Sequence, residues 1–165
     1  MATSDFLLQI DQVKGESKQK GKEKYIDIES WEWGARQGGH AEYGGGLATG
    51  KVQLKEFKFV CKNGTSSAQL FGHCTKGTHI ATALLECRKA GGDSKTYSYY
   101  TVKFESLIIS SYYEKASDKI TLLPQAEITF NYKKVTIEYF EQDNKVFVSC
   151  KSTSSYDQSK GRADK

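Results

Sequence analysis

The sequence predicts a mainly-β fold built on a closed or sharply coiled sheet, with one helix set against it. Three observations carry this. Val, Ile, Phe, Tyr, Trp and Thr sum to 48 of 165 residues, and there is a single proline, which is strand-forming composition. Two of the longer apolar patterns change parity midway, so their large side chains appear first on one face and then on the other; a coiled or closed sheet accommodates this better than a flat one. Only one stretch has a helical period.

The elements follow in chain order. Phe6, Leu8 and Ile10 alternate and predict a first strand over about residues 4–11. Lys14 to Lys24 is a polar loop. A second strand runs from about Tyr25 to Gly34, with Ile26 and Ile28 on one face and Trp31 and Trp33 on the other. The parity change near Glu29 means either a bulge that re-aims the strand or a strand with protein on both faces. A third strand, about Lys51 to Cys61, places Val52 and Leu54 on one face and Phe57 and Phe59 on the other. The helix starts at Thr65 or Ser66 as cap, sets Leu70, Phe71 and Cys74 on one face and stops at Lys76-Gly77. Ala83, Leu85 and Cys87 alternate up to a tight turn at Gly91-Gly92-Asp93. A strand from about Tyr97 to Ser111 passes through Val102, Phe104, Leu107 and Ile109 with another parity change. Pro124 sits in a connection. Ile128, Phe130 and Tyr132 alternate, then Val135, Ile137 and Tyr139. Asp143-Asn144 turns the chain into a last short strand, Lys145 to Cys150. Residues 1–150 thus read as one domain and 151–165 as a polar, flexible tail.

Composition excludes several classes. Leu, Ile, Val and Phe total only 34, but twenty aromatics make up the buried area, which argues against wholesale disorder. The apolar runs are too short for a membrane-spanning helix, and Met1 to Asp5 begins no secretory signal. The net charge of +4 is small. The lysine run from Lys14 to Lys24 is interleaved with Glu16 and Glu23, and with three arginines in all there is no basic footprint for nucleic acid. Cys61, Cys74, Cys87 and Cys150 lack the spacing of a zinc knuckle, and His73, Cys74 and His79 would need a further ligand from elsewhere. No metal and no cofactor are expected. Nor does any nucleophile, base and orienting group fall into a recognisable catalytic order, so no enzyme activity is expected.

Between the second and third strands lies a glycine-rich stretch, Gly38-Gly39-His40-Ala41-Glu42-Tyr43-Gly44-Gly45-Gly46-Leu47-Ala48-Thr49-Gly50-Lys51. Gly45-x4-Gly50-Lys51 superficially matches a phosphate-binding loop. Val52 lacks the hydroxyl that would hold magnesium, and a strand rather than a helix N-terminus follows the lysine. The stretch is therefore a loop of about a dozen residues, long for a compact domain, and composition leaves it either a floppy connector or an extended arm able to lie against another chain.

Taken together, the motifs resemble one family. Ile10-Asp11-Gln12-Val13-Lys14-Gly15-Glu16-Ser17, Ser30-Trp31-Glu32-Trp33-Gly34, the glycine loop ending Gly50-Lys51-Val52, the single helix with Gly77-x-His79, Arg88-Lys89-Ala90-Gly91-Gly92, Ile109-Ser110-Ser111-Tyr112 and Ile128-Thr129-Phe130-Asn131-Tyr132 occur in the order found in haemolysin-coregulated proteins (Hcp). These are the tube subunits of type VI secretion systems. The resemblance spans about residues 5–140.

It implies a compact β-barrel of two curled antiparallel sheets with one flanking helix and a long Gly-rich extended loop. Six copies would form a homohexameric ring, and stacked rings would form a tube exported with a spike protein by a contractile sheath, carrying and protecting effectors in the lumen. The protein would reside in the cytoplasm before firing and leave without a signal peptide, with no stable membrane insertion. By the same resemblance Ser30 and Glu32 would line the lumen. Gly38, Gly39, Tyr43, Gly44, Gly45, Gly46 and Leu47 would form the loop contacting a neighbouring subunit or ring, while Trp31, Trp33, Phe57 and Phe59 would belong to the core. Glu32 stands where relatives often carry a small polar residue, and a ring of such carboxylates favours basic or polar cargo over acidic cargo. The alternative is a monomeric β-barrel binding single-stranded nucleic acid on its aromatics.

Overall fold

A computed structural model describes residues 5–42, 46–90, 95–116, 124–142 and 148–164. The elements in order are β1 (Asp5–Ile10), β2 (Ile26–Glu32), β3 (Ala35–Glu42), β4 (Gly46–Leu54), β5 (Phe57–Lys62), α1 (Thr65–Lys76), β6 (Ile80–Ala90), β7 (Thr96–Lys115), β8 (Gln125–Gln142), β9 (Val148–Asp157) and β10 (Arg162–Asp164). Six strands close in the order β1-β6-β7-β8-β5-β2 and back to β1, every pairing antiparallel. β9 and β10 extend the sheet from the far half of β8. β3 and β4 pair with each other as a separate hairpin.

The barrel closes because one face of each strand is apolar. Leu8, Ile10, Ile28, Leu85, Val102 and Leu107 are buried with a cluster of rings. Phe57 lies 4.8 Å from Phe104 and 5.0 Å from Phe130, and Phe104 lies 4.8 Å from Tyr132, centroid to centroid. Burying each such phenylalanine contributes about 1.5–3 kcal/mol, and each tilted ring pair about 0.5–1.5 kcal/mol more. This is how a chain poor in aliphatics builds a core.

The parity changes turn out to be of two kinds. The β2–β5 register shifts between Ile28 and Ser30, so of the two readings of the parity change near Glu29 the bulge is the one present. In β7 the change falls at Ser106, whose φ of 55° turns the backbone between Phe104 and Leu107. The third predicted strand is different. Residues 51–61 are two strands, β4 and β5, broken at Lys55-Glu56; what read as one strand changing face is the end of one element and the start of another. The glycine loop is likewise not a loop but most of a hairpin, β3 and β4, although Tyr43, Gly44 and Gly45 lie outside the described residues.

Helix α1 is capped at Gly64 rather than at Thr65 or Ser66. The Gly64 N–H donates to Ser67 Oγ at 3.0 Å, and the Thr65 hydroxyl donates to Glu16 at 2.8 Å. Gly77, with φ 62°, ends it as expected. Leu70 is fully buried, whereas Phe71 remains 54% exposed with its ring edge against Tyr112. The helix rests on the outside of the barrel and buries a stripe narrower than the periodicity implied.

The turns expected at Gly91-Gly92-Asp93 and Asp143-Asn144 fall outside the described residues. From Lys151 the chain is not an unstructured tail: β9 continues to Asp157, and β10 pairs back on it from Arg162. Residues Val148 to Ser154 are exposed throughout, so no hydrophobic alternation marks this strand.

Candidate functional site

Two features stand outside the core: the outer face of β2-β5-β8 and the β3–β4 hairpin. The bulge in β2 creates the first. After it, Trp31 and the following Trp33 turn toward the barrel while Ser30 and Glu32 point out. Trp31 is half-buried, stacked on Phe57 and Tyr100 and edge-on to Phe6. Trp33 is half-buried too, edge-on to Phe104 and Tyr132. Both pack against the core rather than within it, while Phe57 and Phe59 are fully buried in it.

Register aligns the outward residues in rows. Glu32 pairs with Lys58, Ser30 with Val60, and Val60 with Glu127. Lys58 Nζ lies 3.2 Å from Glu32 Oε1 and 3.8 Å from Glu127 Oε1. Its hydrogen bond to Glu32, joined by the charges of Glu32 and Glu127, holds the ammonium above the usual lysine range. Lys62 Nζ lies 3.9 Å from Glu29, whose other oxygen accepts from Gln125. Tyr113, opposite Glu127 on β7, is 66% exposed. Ser30, Glu32, Lys58, Val60 and Glu127 rim a shallow depression of about 260 Å³. The sequence pointed to Ser30 and Glu32. It did not single out Lys58 or Glu127, which read as ordinary alternating strand residues and become neighbours of Glu32 only through sheet register.

The hairpin is rooted firmly and then departs. At its base Lys55 N–H donates to the Gly34 carbonyl at 2.7 Å, and Tyr132 Oη donates to the Lys55 carbonyl at 2.8 Å. Beyond the root, among the described residues, its two strands pair only with each other. Gly38 and Gly39 stand next to a register shift in β3, with open space around their Cα atoms. Gly46 and Leu47 open β4.

The long loop before β2 is a strap over the outside of the barrel. Buried Glu86 accepts from Lys22 Nζ at 2.8 Å, Tyr25 Oη at 3.1 Å and Ser98 Oγ at 3.0 Å. Arg88 donates to Gln19 at 2.7 Å. Glu86 sits between Leu85 and Cys87 on the outward side of β6, where local pattern reads as solvent; the strap that buries it comes from sixty residues away. Of the residues weighed as metal ligands, His73 and Cys74 occupy the last turns of α1 and are half-buried, and His79 is exposed beyond its cap. Among the described residues, no helix is long and apolar enough to cross a membrane.

Fold and site thus define a closed six-stranded barrel carrying a projecting hairpin and a polar outer sheet, a part shaped to meet other proteins. Comparison with known proteins agrees. The family described as "Type VI secretion system effector, Hcp" matches residues 7–139. Protein hcp1 of Pseudomonas aeruginosa is 33% identical over 141 residues, covering 84% of each chain. Among solved structures, one titled as a type six secretion system protein superposes with a TM-score of 0.89 at 26% identity, covering 98% of this chain and 100% of that one. Hcp1 from Salmonella typhimurium gives 0.78 at 26% identity, covering 99% and 100%. The chain belongs to the Hcp family of the type VI secretion system, a family of structural, secreted tube proteins.

Proposed function

We propose that six copies of this chain close into a ring, that rings stack into the exported inner tube, and that Ser30 and Glu32 face the lumen, where small effectors are carried and protected. The chain is made in the cytoplasm and leaves with the tube, alongside the spike and inside the sheath. The observation that carries this reading is the hairpin. A two-stranded ribbon is marginal in water by itself, yet here it is held at its root by two backbone-accepted hydrogen bonds, and among the described residues its strands join no other sheet. A neighbouring subunit or ring supplies the missing surface, with Gly38, Gly39, Tyr43, Gly44, Gly45, Gly46 and Leu47 as the contact segment. A ring also needs two different flanks that repeat by a fixed rotation, and an arm on one side with its receiving surface on another meets that need.

Light scattering on the size-exclusion peak tests it. The expected particle is about 111 kDa, six times the 18.5 kDa chain. Replacing residues 36–53 by a short turn is expected to leave a folded barrel with the mass of one shortened chain. A wild-type particle of one chain at high micromolar concentration, binding oligonucleotide in a salt-sensitive way, overturns the ring in favour of a monomeric nucleic-acid binder. For the lumen, Ser30→Trp is expected to leave the ring mass unchanged and abolish retention of co-expressed effector. Undiminished retention by intact Ser30→Trp rings removes Ser30 from the cargo path.

A further inference from the structure

A lone Glu32 on the lumen wall would make the channel a receptor for basic cargo. The geometry gives that carboxylate a partner. Lys58 on β5 bridges Glu32 on β2 and Glu127 on β8, at 3.2 and 3.8 Å, and its side chain remains 39% exposed. The neighbouring carboxylate, Glu29, is likewise met by Lys62 and Gln125. Lys58 and Lys62 thus offset two of the three carboxylate charges of this face, with Glu32 and Glu127 sharing one ammonium. A cationic side chain arriving from solution would find the position between Glu32 and Glu127 taken by Lys58, and an anionic one would meet the two carboxylates. What is left for recognition is the Ser30 hydroxyl, the half-buried Val60 and the exposed Tyr113 ring beside Glu127.

We propose that Lys58 sets the charge class of the cargo this face accepts: its own ammonium fills the seat between Glu32 and Glu127, which weakens the hold of the face on strongly basic segments and leaves it suited to polar, weakly charged polypeptide. The proposal rests on the reading that the face lines the channel. It also replaces the preference for basic cargo that Glu32 alone implies. Exposed ion pairs are individually weak and are screened by salt. Their effect on cargo comes from repetition around a ring, where the same cluster recurs in every protomer.

The test uses full-length rings whose mass has been verified, with fluorescein-labelled hexa-arginine and hexa-glutamate as probes, read by fluorescence anisotropy at low and high salt. Wild type is expected to bind both peptides weakly, with only a slight preference for hexa-arginine. Lys58→Met removes the ammonium but keeps much of the stem. It is expected to bind hexa-arginine about tenfold more tightly at low salt and to lose most of that gain at high salt, while hexa-glutamate binds more weakly. Adding Glu32→Gln and Glu127→Gln to Lys58→Met is expected to cancel the gain. If Lys58→Met does not assemble, Lys58→Gln makes the same comparison with a hydrogen-bond donor retained. Intact variant rings that bind both peptides within about twofold of wild type, or wild-type rings that already prefer hexa-arginine as strongly as the variant, overturn the proposal. Failure of the lumen reading looks different: the Lys58→Met gain persists, but Ser30→Trp rings bind both peptides like wild type.

Discussion

At the scale of single residues, the most demanding position is Gly15. A Cβ built there would lie 2.0 Å from the Tyr25 carbonyl oxygen, inside the bridge where Gly15 N–H donates to Lys24 and Ser17 N–H to Tyr25. The neighbour is backbone and has no rotamer to change. Gly15→Ala is expected to destabilise by about 2 kcal/mol or more, because the strap must lift and lose these bonds; a melting temperature equal to wild type would contradict the close approach. The cysteines divide by burial. Burial pushes the Cys61 thiol up to about 12 and the Cys87 thiol up to about 11, while Cys150 is exposed. Both shifted groups are acids whose folded-state value lies above the unfolded one. The stability they contribute is therefore complete below about pH 9 and is lost as pH rises toward 11–12. Between pH 8 and pH 10 each is expected to remove roughly 1 kcal/mol. Urea unfolding of Cys61→Ala at fixed protein concentration should show a correspondingly smaller loss over that interval, and equal slopes for variant and wild type would refute the cause. Gly15 was visible in the sequence only as part of a motif. That it must be glycine comes from a chain segment ten residues later folding back onto it.

At the scale of elements, the signals that worked were local and periodic. Alternation located β1, β5 and β6, and Gly77 stopped the helix because a left-handed residue is easiest for glycine. The bulge in β2 was legible because two tryptophans changed parity against two isoleucines. The same parity rule misread residues 51–61, where the switch of face marks the root of the hairpin rather than a bend within one strand. Periodicity cannot tell these cases apart, since both put large residues on opposite faces. Within α1, Gly72 has nothing within 4 Å of where a Cβ would stand. Gly72→Ala is thus expected to stabilise the protein by about 0.5–1 kcal/mol through helix propensity alone. Chemical denaturation checks this, and a loss of stability would mean that another chain packs against that turn. The hairpin was foreseen as an arm but not as paired strands, because glycine and alanine carry too little hydrophobic contrast to show a period of two.

At the scale of the whole molecule, the expected mass near six chains and its collapse on removal of the hairpin belong together. Both follow from a barrel that is complete in itself while its arm is not. The barrel core is filled by its own six strands together with Leu70 of α1 and Val13. The charged outer sheet, the exposed Tyr113 and the all-exposed start of β9 are surplus to it. Surface of this kind is what an assembled part leaves over for its neighbours. The proposed cargo face was half legible. Ser30 and Glu32 stood out by their place around Trp31, whereas Lys58, Glu127 and Tyr113 joined them only when β5, β8 and β7 came alongside.

The sequence by itself determined the mainly-β class, the single helix and the order of family motifs, since composition, period and turn chemistry act between near neighbours along the chain. The tertiary structure alone decided the closure of six strands into a barrel, the burial of Glu86 beneath its strap and the seating of Lys58 between two carboxylates. Each of these joins residues far apart in sequence, and sheet register, a long-range property, is what brings them within reach of one another.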